Sequence, residues 1–204
     1  MVATVVVQEV TGASVTYQTV TNRVRLMTTD AFTNQTTPQT TNPVIIPSGA
    51  GAGYGSTDFN YSYWKSVCLD LAGSGFIITN INHYSNGDIN WTFGTGGALN
   101  RGKKNGAKGS VAQGCPTASY LQAVGTAGTT GNPIDISHTY YNGGGGDGVA
   151  NVNSDTSGSL ALIDDTSHSS AGKSHMIVLQ VKVCYDATQG TQTAKTLTWQ
   201  YDES

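Results

Sequence analysis

Residues 177–185, IVLQVKVCY, decide how this chain is to be read. Ile177, Leu179, Val181, Val183 and Tyr185 fall on one side of an extended backbone, with Gln180 and Lys182 on the other. A repeat of two is the signature of a β-strand with one buried face. The same alternation returns in residues 197–202, LTWQYD, where Leu197, Trp199 and Tyr201 interleave with Thr198, Gln200 and Asp202. The stretch between them, Asp186 to Thr193, contains Gly190 and predicts a turn that closes the two strands into a hairpin.

Working toward the N-terminus, Trp64 to Leu71 carries Val67, Leu69 and Leu71 at strict alternation, and Phe76 to Tyr84 carries Phe76, Ile77, Ile78 and Ile81. Both predict central strands. Val2 to Val10 is rich in β-branched residues and is separated by Thr11 and Gly12 from a second run, Ala13 to Val20, which predicts an N-terminal hairpin. Asn22 to Thr28 predicts a third strand, with Val24 and Leu26 alternating with Arg23, Arg25 and Met27. Ser119 to Val124 and Ser159 to Ile163 are weaker strand candidates, and no window has the periodicity of a helix. The expected fold is all-β: an antiparallel β-sandwich, jelly-roll-like or immunoglobulin-like, spanning residues 1–204 as a single domain. Two irregular stretches interrupt it, an arm at 29–43 and the Gly-rich loop NGGGGDG at 142–148.

Composition agrees with that class. Only 11% of the 204 residues are charged, and the polar surface is built instead from Thr, Ser and Asn, which favour strands and turns over helices. A net charge of −3 offers no global attraction to nucleic acid or to a membrane, and neither partner is expected. A surface low in charge suits a subunit that packs beside many copies of itself. The opening residues MVATVVVQEV have no basic leader, and Thr4 and Gln8 interrupt their apolar run, so they read as neither signal peptide nor membrane span. Synthesis in a host cytoplasm is expected. Cys68, Cys115 and Cys184 form no CxxC pair, and Cys68 and Cys184 sit within apolar strand patterns, which predicts buried free thiols.

Candidate chemistry is sparse. Gly172-Lys173-Ser174 has the ending of a phosphate-binding loop, but Ser167 stands where the first glycine is required and a strand follows instead of a helix. Asn151, Asn153 and Asp155 precede Gly158 at calcium-loop spacing without the closing bidentate Glu. Asp164, Asp165, His168 and His175 are residue types that bind divalent metals, supported by spacing alone. No nucleophile elbow or HExxH helix is present, and the reading is a non-enzymatic protein with no catalytic residues, no cofactor and no metal.

Two surface features point to contacts. Arg101, Lys103, Lys104 and Lys108 gather four of the ten basic residues in RGKKNGAKG, suited to docking on acidic groups of a neighbouring subunit. Tyr54, Phe59, Tyr61, Tyr63 and Trp64 crowd beside a Gly-rich turn, and amphipathic aromatics of this kind are enriched where surfaces meet. Val5, Val7, Phe32, Tyr61, Tyr63, Trp64, Arg101, Lys103 and Lys104 are the expected interface residues.

The segments NPVIIPSG (42–49), YSYWKS (61–66), INHYSNGDINWTFGTG (81–96) and LTWQYDE (197–203) together resemble β-rich structural proteins of phages and of microbial surface systems. That resemblance implies a virion structural protein, a capsid decoration or cement protein or a tail component, whose partners are itself and a major capsid or tail protein. It carries over no site residues. The alternatives are an extracellular filament subunit whose strand Val2 to Val10 completes a neighbour's sheet, and a carbohydrate- or receptor-binding module using Tyr61, Tyr63 and Trp64.

Overall fold

The computed structural model describes residues 2–11, 16–27, 43–47, 59–62, 65–87, 89, 91–103, 150–152 and 155–204. Within these the chain is all-β. Ten strands form one antiparallel sheet: β1 (Thr4–Thr11), β2 (Thr16–Thr19), β3 (Phe59–Tyr61), β4 (Lys65–Tyr84), β5 (Ala98–Lys103), β6 (Ala150–Asn151), β7 (Ala161–Asp164), β8 (His168–Lys173), β9 (Ile177–Cys184) and β10 (Thr198–Glu203). The arm at 29–43, apart from Pro43, and the loop at 142–148 lie outside the described residues, as do Cys115 and the strand candidate at 119–124.

β4 is the spine. On one edge its first half, Ser66 to Ala72, pairs with β1, and its second half, Ile78 to Tyr84, pairs with β10. On the other edge β9 takes Lys65 to Val67, β8 takes Asp70 to Ile78, and β7 takes Ile81 to His83. Two separate strands are expected here from the sequence, and the structure has one strand of 20 residues. The two expected strands stop at Leu71 and resume at Phe76, and between them Gly73 and Gly75 take φ of +114° and +70°. Positive φ lets the strand change course without leaving the sheet, and the pairing with β8 shifts register across this stretch.

β1 and β10 run in the same direction on the same edge of β4, one after the other. Ser204 exchanges two backbone hydrogen bonds with Ile77, at 2.9 and 3.0 Å, and the backbone N–H of Ala3 donates to the Glu203 carboxylate. The hairpin expected between residues 177–185 and 197–201 is therefore not formed. β9 is bounded by β3 and β4 on one edge and by β5 on the other, so β10 crosses to the far half of β4.

The N-terminal hairpin is present, with Gln8 opposite Thr19 and Thr11 opposite Thr16. The third strand expected at 22–28 is not: Asn22 to Met27 forms no ladder. Its side chains still bury, with Val24 and Leu26 packed on the main core cluster and Met27 only 5% exposed. The alternation there records docking against the sheet, with no ladder to another strand among the described residues.

The main cluster joins Val67, Leu99, Ile163, Ile177, Leu179, Val181 and Val183 with Ile89, Phe93 and Val152. A second gathers Leu69, Leu71, Phe76, Ile78 and Ile81 under Val5, Val7, Trp199 and Tyr201. Each fully buried Leu, Ile or Phe contributes about 1.5–3 kcal/mol of transfer free energy. β9 is covered on both faces, since Val178, Gln180 and Cys184 are buried as well as the alternating set. Buried Gln180 is accommodated because its Nε2 donates to the Ser62 carbonyl at 3.0 Å. Cys68 and Cys184 are buried free thiols.

Candidate functional site

Charged and titratable side chains are few, and several of them lie inside the fold. In the first cluster, Arg101 on β5 is 4% exposed, and its Nη1 donates to Asp155 Oδ2 at 2.6 Å and to His83 Nδ1 at 3.1 Å. A guanidinium can only donate, so Nδ1 of His83 accepts and the imidazole is neutral, with its proton on Nε2. Burial and the adjacent Arg101 charge push the His83 pKa down to about 3. The ring of His83 meets Trp199 edge-on, with centroids 5.1 Å apart. Ser85 donates to the Val152 carbonyl at 2.7 Å, which holds the neighbouring segment against the end of β4.

The second cluster sits where β7, β8 and β9 succeed one another along β4. Asp164 is 1% exposed and accepts from His168 Nε2 at 2.9 Å and from the backbone N–H groups of His175 at 2.7 Å and Thr166 at 2.9 Å. Burial alone would raise the pKa of this carboxyl. The three hydrogen bonds, with the nearby His175 ring, outweigh it and hold the group well below the usual carboxylate range. A carboxylate held so firmly in its ionised form is a poor proton acceptor for chemistry and a strong anchor for backbone. Of the four residues with metal-binding potential in the sequence, the structure brings Asp164, His168 and His175 together. Among the described residues no group of three or more His, Cys, Asp or Glu side chains is arranged to hold a metal ion.

A third pair joins β1 to β4: Lys65 Nζ lies 2.6 Å from Glu9 Oε1, with the two side chains 1% and 0% exposed. A fourth network covers the opposite face of β4. There Lys173 Nζ lies 2.5 Å from Asp70 Oδ1 and 4.8 Å from the centre of the Tyr17 ring, and Gln8 Nε2 donates to Asp70 Oδ2 at 3.0 Å. Lys173 is thus held by a carboxylate within a strand, consistent with the missing features of a phosphate loop. Burial pushes the neighbouring Cys68 thiol up to about 12, which keeps it protonated and unreactive.

Five of the nine expected interface residues, Val5, Val7, Tyr61, Arg101 and Lys103, lie among the described residues. Arg101 is buried and paired, so it does not belong to an exposed basic cluster; two residues after Leu99 on β5, it shares the inward face with Leu99 and meets Asp155 there. The same pairing occupies Asp155, the described carboxylate of the calcium-like spacing. Lys103 ends β5 opposite Ile177. Val5 and Val7 are half-buried, packed against core residues, on a strand already held between β2 and β4 of its own chain. Tyr61 ends β3 opposite Lys182, and burial raises its phenol pKa. Phe32, Tyr63, Trp64 and Lys104 lie outside the described residues.

Sequence reading missed Glu9, Lys65 and His83. Glu9 and Lys65 stand among apolar strand residues, and a charge inside such a run is the available sign of a buried pair. Comparison of the chain with protein-family models, with curated proteins and with solved structures finds no match.

Proposed function

We propose that this chain is a structural subunit of a virion, a capsid decoration or cement protein that stabilises a shell through contacts between subunits. The observation that supports it is the use the fold makes of its charges. Glu9–Lys65 ties β1 to β4, Asp70–Lys173 ties β4 to β8, and Arg101–Asp155 ties β5 to the segment before β7. These groups act as cross-strand staples around one long spine, bonded along both edges, which is an arrangement suited to bearing load. On this reading the two halves of the sheet face each other as a β-sandwich.

A filament subunit that grows by strand addition is the second reading, and one observation favours it. Among the described residues β10, Thr198 to Glu203, pairs only with β4, and a sheet edge of this kind is where strand addition takes place. Size-exclusion chromatography with light scattering, followed by negative-stain microscopy, separates the two. A discrete monomer or small closed oligomer is the expected result for the decoration protein. Spontaneous filaments from the purified chain contradict it and favour strand addition.

A further inference from the structure

Glu9 and Lys65 stand apart from the other pairs because both side chains are withdrawn from solvent, at 0% and 1% exposure, with Nζ 2.6 Å from Oε1. Their placement follows from the register. Glu9 is opposite Val67 across the β1–β4 ladder, and Lys65 lies two residues from Val67, so the pair shares one face on a diagonal that long side chains can span. Lys65 is in turn opposite Leu179 on β9. Val67 and Leu179 belong to the main apolar cluster, so the buried pair lies beside it.

We propose that Glu9 and Lys65 are a self-cross-linking pair, which condenses to an amide that joins β1 covalently to the spine strand. In the proposed reaction one proton passes from the Lys65 ammonium to the Glu9 carboxylate within the contact, which gives an amine and a carboxylic acid. The fold holds the two groups in contact, and such fixed proximity replaces an encounter that would otherwise be bimolecular. The nitrogen lone pair attacks Cδ of Glu9 and the C–N bond forms. A second proton moves from nitrogen to the departing hydroxyl, the C–OH bond breaks, and one water leaves. No oxidant, reductant or activating co-reactant is required. The product retains a hydrogen-bonding carbonyl and N–H but carries no buried charge.

The inference does not depend on the virion reading, and its test is independent of assembly. The purified full chain is unfolded in denaturant, weighed by intact mass spectrometry, and digested with trypsin. The expected mass is one water below that of the sequence. Trypsin should fail to cut after Lys65, and a branched peptide should join residue 9 to residue 65. Glu9→Ala should restore both the full mass and cleavage at Lys65. Since the decisive reading is taken on the wild-type chain, it stands even where that variant does not fold. A wild-type chain of full sequence mass that is cut quantitatively after Lys65 overturns the proposal.

Discussion

Arg101 and Asp155 meet at 2.6 Å inside the molecule, although 54 residues separate them in the chain, and His83 takes a further hydrogen bond from the same guanidinium nitrogen. The pair holds the segment before β7 against β5. Three elements from distant parts of the sequence thereby share one buried charge.

Removing the acidic partner should therefore be costly. Asp155→Ala leaves the Arg101 charge buried and uncompensated, which destabilises a fold by about 3–5 kcal/mol. The double variant Arg101→Met, Asp155→Leu should lose much less, because it removes both charges at once. Urea unfolding midpoints for the two proteins measure the difference.

The His83 pKa depression makes stability depend on pH. Unfolded, the imidazole titrates near about 6.5, while burial and Arg101 push the folded value down to about 3. The unfolded chain binds more protons between these values, so stability is complete above the upper one and falls as pH drops through the window. His83→Gln keeps an acceptor for Arg101 and should flatten the dependence. Urea midpoints measured from pH 7 to pH 4 test this, and the His83 ring resonances should not titrate above pH 5.

Asp164 acts in the same direction at lower pH. Its carboxyl titrates below the unfolded value of about 3.9, so its stabilisation is fully present above that value. It is lost as pH falls through the folded pKa. Asp164→Asn should reduce stability at neutral pH and remove the part of the acid dependence that lies below the His83 window. The same urea series, extended to lower pH, reads it.

Gly94 has φ of +82°, and a Cβ there would lie 2.2 Å from Asp186 Oδ1 and 2.8 Å from the Ala187 nitrogen. Asp186 itself accepts from the Thr95 backbone N–H at 2.8 Å and from Thr95 Oγ1 at 2.6 Å. Gly94→Ala therefore combines backbone strain with a clash and should cost more than about 2 kcal/mol. Gly190 also has positive φ but nothing within 4 Å of a Cβ, so Gly190→Ala should cost only the strain. Thermal unfolding of both variants checks the order.

The all-β class was legible because period-two runs such as Val67, Leu69 and Leu71 record which face is buried. Pairing was not. Residues 177–185 and 197–201 are close in sequence with a glycine between them, yet both edges of β9 are filled by strands from elsewhere, and sequence patterns carry no record of that competition. The gap left between Leu71 and Phe76 was also misread as a strand end, since Gly73 and Gly75 within it take positive φ and bend the strand without ending it. Asp164, Asp165, His168 and His175 stood out in the sequence as possible metal ligands, and the structure has Asp164 accepting from His168 and from the backbone N–H groups of Thr166 and His175. Arg101 looked like part of a basic surface because Lys103, Lys104 and Lys108 follow it; only the position of Asp155 shows that it turns inward.

The central claim is that this chain is a structural component of a virion, and the most direct test is to look for it on particles. Antibodies raised against the purified chain should label intact particles isolated from lysates of the source culture, with a copy number that is constant from one preparation to the next. Particles free of label, with the chain recovered wholly from the soluble fraction, would contradict the account.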